Sequence, residues 1–265
     1  RFLAQHPRLI WCTVTGFGPD SDRPGYDYVV QAESGWMAIT GPVDGEPTKA
    51  GIALADVITG KDTTITILGA LVARERAAAP LPVSERRLFT SLLHSATAAL
   101  VNVAQNVLVG GSDARRWGNG HPNLVPYQLF RAADRWIVVA VGNDSQWKGC
   151  CQALGLDALG ADPEVATNAG RVAHRARVVT AITERLAERK AADWIAALEG
   201  AGVPCGVVKG VQEALESVPA SARTGVSPSV PGSVRLDPPM LDEHGALIRE
   251  HGWGAFQRVA GHYGS

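Results

Sequence analysis

Leu9-Ile10-Trp11-Cys12-Thr13-Val14-Thr15, followed at once by Gly16-Phe17-Gly18-Pro19, is the stretch on which the fold turns. Seven mostly apolar, β-favouring residues bounded by glycine and proline read as a buried strand running into a loop. Downstream, residues 26–39 mix apolar and polar positions at near-helical spacing until Thr40-Gly41-Pro42 breaks the pattern. Residues 45–54 read as a loop leading into Gly51-Ile52-Ala53-Leu54-Ala55-Asp56. From Val57 to about residue 79 the spacing of Ile58, Ile65, Leu68, Leu71 and Val72 predicts a long helix, which Pro80 ends.

A second long helix is predicted over residues 90–108, closed by Gly110-Gly111. Residues 115–126 are polar and broken by glycine and proline, so no regular structure is expected there. Residues 127–130 and 136–141 flank Ala132-Ala133-Asp134-Arg135 as a β-hairpin. Asp144 is placed to cap a helix carrying Trp147, Cys150, Cys151 and Leu154. Helical patterns cover residues 171–189 and 193–198, a strand covers 203–208, and a short helix 211–215. Proline, serine and glycine dominate from Ser217, with a strand expected at 233–236. The partition is a first part to about residue 111, an α+β module over about 122–209, and a proline-rich tail.

Composition narrows the function. The 265 residues carry 25 Lys plus Arg against 26 Asp plus Glu, a net charge of −1, so no basic excess points to nucleic acid or an anionic membrane. Apolar residues make up 46%, too many for disorder, and no run of ~18 apolar residues suggests a membrane span. The 29 glycines and 16 prolines mark many turns. Cys12, Cys150, Cys151 and Cys205 lack zinc-type spacing and read as free thiols in a reducing cytoplasm. The opening Arg1-Phe2-Leu3-Ala4-Gln5-His6-Pro7 has no Met and no signal-peptide pattern, and it reads as a start in mid-fold.

Asp56 is the residue that the sequence singles out for chemistry. It precedes a helix, where a carboxylate can serve as an N-cap. The same place suits a carboxylate nucleophile, whose pKa the helix terminus would lower while its N–H groups donate to a developing oxyanion. Gly25-Tyr26-Asp27 could bring backbone close to a flat ligand, or simply enter a helix with Asp27 in its first turn. Gly118-Asn119-Gly120-His121-Pro122-Asn123 has the composition of a mobile loop and equally of a surface turn. The seven histidines share no metal-like spacing, and Gly16-Phe17-Gly18 lacks the third glycine of a dinucleotide fingerprint. The 194–198 stripe reads as core, and Arg185, Glu188, Arg189 and Lys190 as a solvated helix face.

In order along the chain these residues resemble the class III CoA-transferase family, which also contains α-methylacyl-CoA racemases. The resemblance rests on Pro7-Arg8-Leu9-Ile10, Thr15-Gly16-Phe17-Gly18, Arg23-Pro24-Gly25-Tyr26-Asp27 and Gln31-Ala32-Glu33-Ser34-Gly35. It continues through Ala55-Asp56, Gly118-Asn119, His121-Pro122-Asn123, Val125-Pro126-Tyr127, Gly142-Asn143-Asp144 and Ala201-Gly202-Val203-Pro204-Cys205-Gly206. It implies an α/β fold, with a Rossmann-like large domain (residues 1–111) and a smaller α+β domain (122–209). Residues 112–121 would form a lid or linker and 210–265 would return to the large domain, in an interlocked homodimer.

The implied activity is transfer of CoA between an acyl-CoA thioester and a carboxylic acid, through aspartyl anhydride and aspartyl-CoA thioester intermediates on Asp56. Acyl-CoA would be a substrate, with no permanently bound cofactor, no metal, no nucleic-acid or membrane partner, and a cytoplasmic location. Arg23, Pro24, Gly25 and Tyr26 are the implied CoA contacts, and Gly118, Asn119, Gly120 and His121 the implied lid. Racemases of the family pair a His with the Asp. The corresponding residue here is Tyr26, and a phenol titrating near ~10 is a poor base at neutral pH, which favours transfer. Three departures stand out: Ala77-Ala78-Ala79-Pro80-Leu81-Pro82 replaces a glycine-rich hairpin, His94 stands at an acidic position, and the lid lacks a continuous glycine run. The resemblance also implies that about the first quarter to third of a family member precedes Arg1, so that a catalytically incomplete dimerising fragment is a further reading.

Overall fold

The computed structural model describes residues 2–219 and 239–254. The chain divides into two compact units, Arg1–Val207 and Val208–Ser265.

The first unit opens with α1 (Phe2–Gln5), β1 (Trp11–Thr15), α2 (Asp27–Glu33) and α3 (Trp36–Ile39). It continues with α4 (Leu54–Arg76), α5 (Val83–Arg86), β2 (Arg87–Ser91), α6 (Leu92–Ala98) and α7 (Val101–Gly110). β1 and β2 are parallel, Trp11 opposite Arg87 and Thr15 opposite Ser91. A parallel pair needs a long crossover, here the helices between Thr15 and Arg87, and this is the unit from which α/β sheets are built. Val30, Ala55, Leu92 and Ala96 form a small core with Phe17 and Trp36 packed on it. The Trp36 Nε1–H donates to the Ala96 carbonyl at 2.8 Å. Arg86 is buried and donates to four carbonyls, those of Leu3, His6, Leu9 and Leu81, fixing the start of the chain.

Two helical expectations are corrected here. Residues 26–39 form two helices rather than one, because Gly35 takes φ 88° between them. Residues 90–108 are not a single helix either. Arg87–Ser91 alternates exposed and more buried positions and pairs with β1, and the Ser91 Oγ then accepts the His94 N–H to start α6. α6 and α7 meet at 71°. Gly111 closes α7 in the left-handed region, as its sequence suggests.

The module that follows has its own core. β3 (Tyr127–Arg131), β4 (Trp136–Ala140) and β5 (Cys205–Val207) form an antiparallel sheet in that order. Around it lie α8 (Asp144–Leu154), α9 (Asp157–Gly160), α10 (Asn168–Ala173), α11 (Arg175–Leu186) and α12 (Ala191–Gly200). Trp147, Trp194, Phe130, Ile137, Leu154 and Ile182 are buried together, each worth about 1.5–3 kcal/mol of transfer free energy. Asn143, not Asp144, caps α8: its Oδ1 accepts the Gln146 N–H at 2.9 Å. Asp144 instead meets the fully buried Arg171 at 2.9 Å. Arg171 also donates to the carbonyls of Val125, Val165 and Ala166. Cys150 and Cys151 are free and buried, and burial pushes both thiols up to about 12.

In the second unit the described residues hold α13 (Val211–Glu216) and α14 (Gly245–His251). The strand expected at 233–236 lies outside the described residues. Among the described residues no single helix is long and apolar enough to cross a membrane.

Candidate functional site

Two glycines organise the site. Gly16 ends β1 and Gly25 precedes α2, and they lie backbone against backbone: a Cβ on Gly16 would fall 2.4 Å from the Gly25 Cα. Only hydrogen fits at either position. This contact sets Tyr26 at the N-cap of α2, exposed, and Asp27 in its first turn.

Asp27 is the hub that sequence reasoning missed. Its Oδ1 accepts the Ala55 N–H at 2.7 Å and the Asp56 N–H at 3.3 Å. Its Oδ2 accepts from Gln31 Nε2 at 2.5 Å. Gln31, fully buried, reaches the Ile52 carbonyl with the same nitrogen, and its Oε1 accepts the Ala50 N–H at 2.8 Å. An Asp and a Gln four residues apart on one helix face therefore staple residues 50–56 to α2. That i, i+4 spacing was the available signal.

Asp56 consequently differs from its expected description. It is the third residue of α4, not the cap; Ala53 holds the cap position with no side chain to offer. The opening N–H groups are already engaged: those of Ala55 and Asp56 by Asp27, that of Leu54 by the Ile52 carbonyl, and that of Val57 by the Ala53 carbonyl. They do not stand free for an oxyanion. The carboxyl is also not lowered by the helix terminus. Partial desolvation and the nearby Asp27 charge raise its pKa above the usual aspartate value, although the side chain is exposed. A more basic carboxylate with an open face is suited to covalent attack.

Of the other expected contacts, Arg23, Pro24, Gly25 and Tyr26 lie exposed along the approach to α2. Arg23 forms a two-pronged pair with Glu33, at 3.0 and 2.5 Å, and lies 3.8 Å over the Phe17 ring. Its hydrogen bond holds the Glu33 carboxyl below the usual range. Arg23 thus orders the loop that carries Pro24 and Gly25.

Gly118, Asn119, Gly120 and His121 form the tip of an irregular segment that is tied on both sides. Arg116 donates to the carbonyls of Pro42 at 3.0 Å and Gly45 at 2.8 Å. Arg175 donates to those of His121 at 3.0 Å and Pro122 at 2.8 Å. The His121 N–H meets the Tyr127 carbonyl, and its Nδ1 accepts the Asn123 N–H at 3.1 Å. Two clefts adjoin the segment and one adjoins α2. One of about 650 Å³ is lined by Ile39, Asn102, Val103, Arg115, Gly118 and His121, among others. A second, about 330 Å³, shares Ile39, Asn102 and Val103 and reaches Gln31 and Leu54, two residues from Asp56. A third, about 470 Å³, lies against Arg115, Arg116 and Arg175. A separate hollow of about 380 Å³ by Phe2, Trp11 and Arg87, at the start of β1, touches none of these residues. Among the described residues no cluster of His, Cys, Asp and Glu could hold a metal ion.

The arrangement offers an exposed carboxylate of raised pKa near a helix start, two residues from Leu54 in the wall of one cleft, while the glycine-containing turn borders another that shares Ile39, Asn102 and Val103 with it. The family model described as CoA-transferase family III matches residues 1–242. The chain is 38% identical over 221 residues to the succinate–glutarate CoA-transferase of Agrobacterium fabrum, covering 82% of this chain and 54% of that protein. It is 33% identical over 264 residues to the acetyl-CoA:oxalate CoA-transferase of Acetobacter aceti, covering 92% of this chain and 67% of that protein. The crystal structure of a CAIB/BAIF family protein from Brucella suis superposes with a TM-score of 0.73 at 35% identity, over 94% of this chain and 69% of that one. The chain spans about half the length of the first of these relatives.

Proposed function

The chain belongs to CoA-transferase family III, and from that premise we propose that it moves coenzyme A between an acyl-CoA thioester and a carboxylic acid, with Asp56 as the covalent nucleophile. The observation that carries this is the exposed Asp56 carboxyl near the start of α4, where Asp27 accepts the Asp56 main-chain N–H and its charge helps to raise the carboxyl's pKa, two residues from Leu54 in the wall of a cleft. The relatives' names favour small dicarboxylic acids on at least one side of the exchange.

The Asp56 carboxylate adds to the thioester carbonyl and the C–S bond breaks, leaving an acyl-aspartyl anhydride and CoA thiolate. The thiolate attacks the aspartyl carbonyl, releasing the donor acid and leaving an aspartyl-CoA thioester. An acceptor carboxylate displaces the thiolate to form a second anhydride. Attack of the thiolate on the acceptor's acyl carbon then yields the new thioester and restores Asp56. Each intermediate would hydrolyse in bulk water, so the 112–121 segment serves as the cover that excludes it. Asp27 orients Asp56 and keeps it basic. Residues 1–111 supply the nucleophile and 122–209 the support for that cover, and the protein works as a homodimer.

The test is chemical trapping. With a donor acyl-CoA and hydroxylamine, mass spectrometry should find hydroxamate on Asp56, absent in Asp56→Asn, whose transfer rate falls by about 10³-fold or more. An unmodified Asp56, with solvent deuterium appearing at the acyl α-carbon, would show racemisation instead and overturn transfer.

A further inference from the structure

One cleft beside the 112–121 segment is walled by cations without acids. Arg115, Arg116 and Arg175 line it, and among the described residues none of them has a carboxylate partner. Arg116 and Arg175 turn their N–H groups to main-chain carbonyls, which leaves their charge uncompensated. Arg115 differs: it is exposed and, among the described residues, has no hydrogen-bond partner for its guanidinium. It lies over the Trp117 ring at 4.2 Å, with Arg175 at 5.2 Å from the same ring. Stacking holds the plane of a guanidinium and leaves its edge donors free, the geometry that takes a carboxylate two-pronged.

Arg115 also lines the cleft of about 650 Å³, where Ile39, Val103 and Val107 supply an apolar wall. Asp113 on the same wall turns its Oδ1 to the Ala114 N–H at 2.8 Å. An apolar passage that reaches an unpaired cation fits a short methylene chain ending in a carboxylate. A second cleft shares Ile39, Asn102 and Val103 with it and is lined by Leu54, two residues from Asp56.

We propose that this cleft is a carboxylate subsite in which Arg115 pairs with the remote carboxylate of a dicarboxylic substrate. The identity of the reacting end rests on the CoA-transfer reading; the ion pair at the remote end does not. Arg115 selects dicarboxylic over monocarboxylic acids of equal length, while Trp117 holds it in plane.

Glutarate and pentanoate serve as probes, differing only in the remote carboxylate. Calorimetric titration of the full chain should show glutarate binding weakened about tenfold or more in Arg115→Gln and less in Arg115→Lys. Pentanoate binding should stay within about twofold. Arg131→Gln, which removes an exposed charge on β3, controls for net charge and should leave both unchanged. Equal loss of both acids, or no loss of glutarate, overturns the subsite. In turnover assays Arg115→Gln should raise KM for glutarate at similar kcat. If its effect instead follows CoA with or without the 3′-phosphate, whatever the acid, Arg115 is a phosphate contact and the proposal fails. Arg115-dependent glutarate binding without any CoA transfer would retain the subsite and sink the transfer reading alone.

Discussion

At the scale of single residues, the Asp27–Asp56 pair governs the pH response. Asp56 titrates above the ordinary aspartate value because of desolvation and then the Asp27 charge. In the proposed mechanism its ionised form is the nucleophile, so the rate should fall as pH drops through that raised pKa. Asp27→Asn keeps an acceptor for the Ala55 N–H and removes the charge. It should therefore shift the acid limb to lower pH, visible as a lower Asp56 midpoint in carboxyl-carbon NMR titration. Asp27→Ala removes the acceptor too and should cost about 1 kcal/mol of stability in denaturant unfolding. The buried thiols respond in the opposite pH range. Cys150 and Cys151 are held up to about 12, so above about 8.5 the unfolded chain ionises while the fold does not. Stability should decline from about pH 8.5 upward, and the Cys150→Ala/Cys151→Ala pair should flatten that slope.

At the scale of elements, the Gly16–Gly25 contact is the tightest joint. Gly25→Ala sets a methyl 2.6 Å from the Gly16 Cα, and β1 and α2 must separate. A loss of about 1–3 kcal/mol in chemical unfolding is expected, with lower activity because Asp27 moves with α2. The legibility of the elements divides along similar lines. The β1 run, the β3–β4 hairpin and most helices could be read locally, since periodicity and turn residues suffice for them. β2 could not be read. Arg87-Leu88-Phe89-Thr90-Ser91 is compatible with the helix that follows it, and only pairing with β1, more than seventy residues upstream, makes it a strand. The site splits in the same way. Asp56 stood out from its place before a helix, whereas its capping partner lies 28–29 residues earlier on another helix. Spacing along α2 marks Asp27 and Gln31 as a pair, but it cannot show which distant segment they hold.

At the scale of the whole molecule, Arg171 is the residue on which the α+β module depends. It is fully buried and joins the entry to β3, the turn before α10 and the start of α8. Arg171→Met leaves three carbonyls and Asp144 without this donor and should cost about 3 kcal/mol, or about 6–12 °C in Tm. The cap that Asp27 provides has a different reach, in the order of folding. Nucleating a helix is unfavourable, and α4 has no side chain of its own to open it. Its first turn can become secure only after α2 has docked and the intervening chain has closed into a loop. During refolding, amides of residues 55 and 56 should gain protection from exchange later than those in the middle of α4, so that Asp56 comes into position among the last steps of assembly.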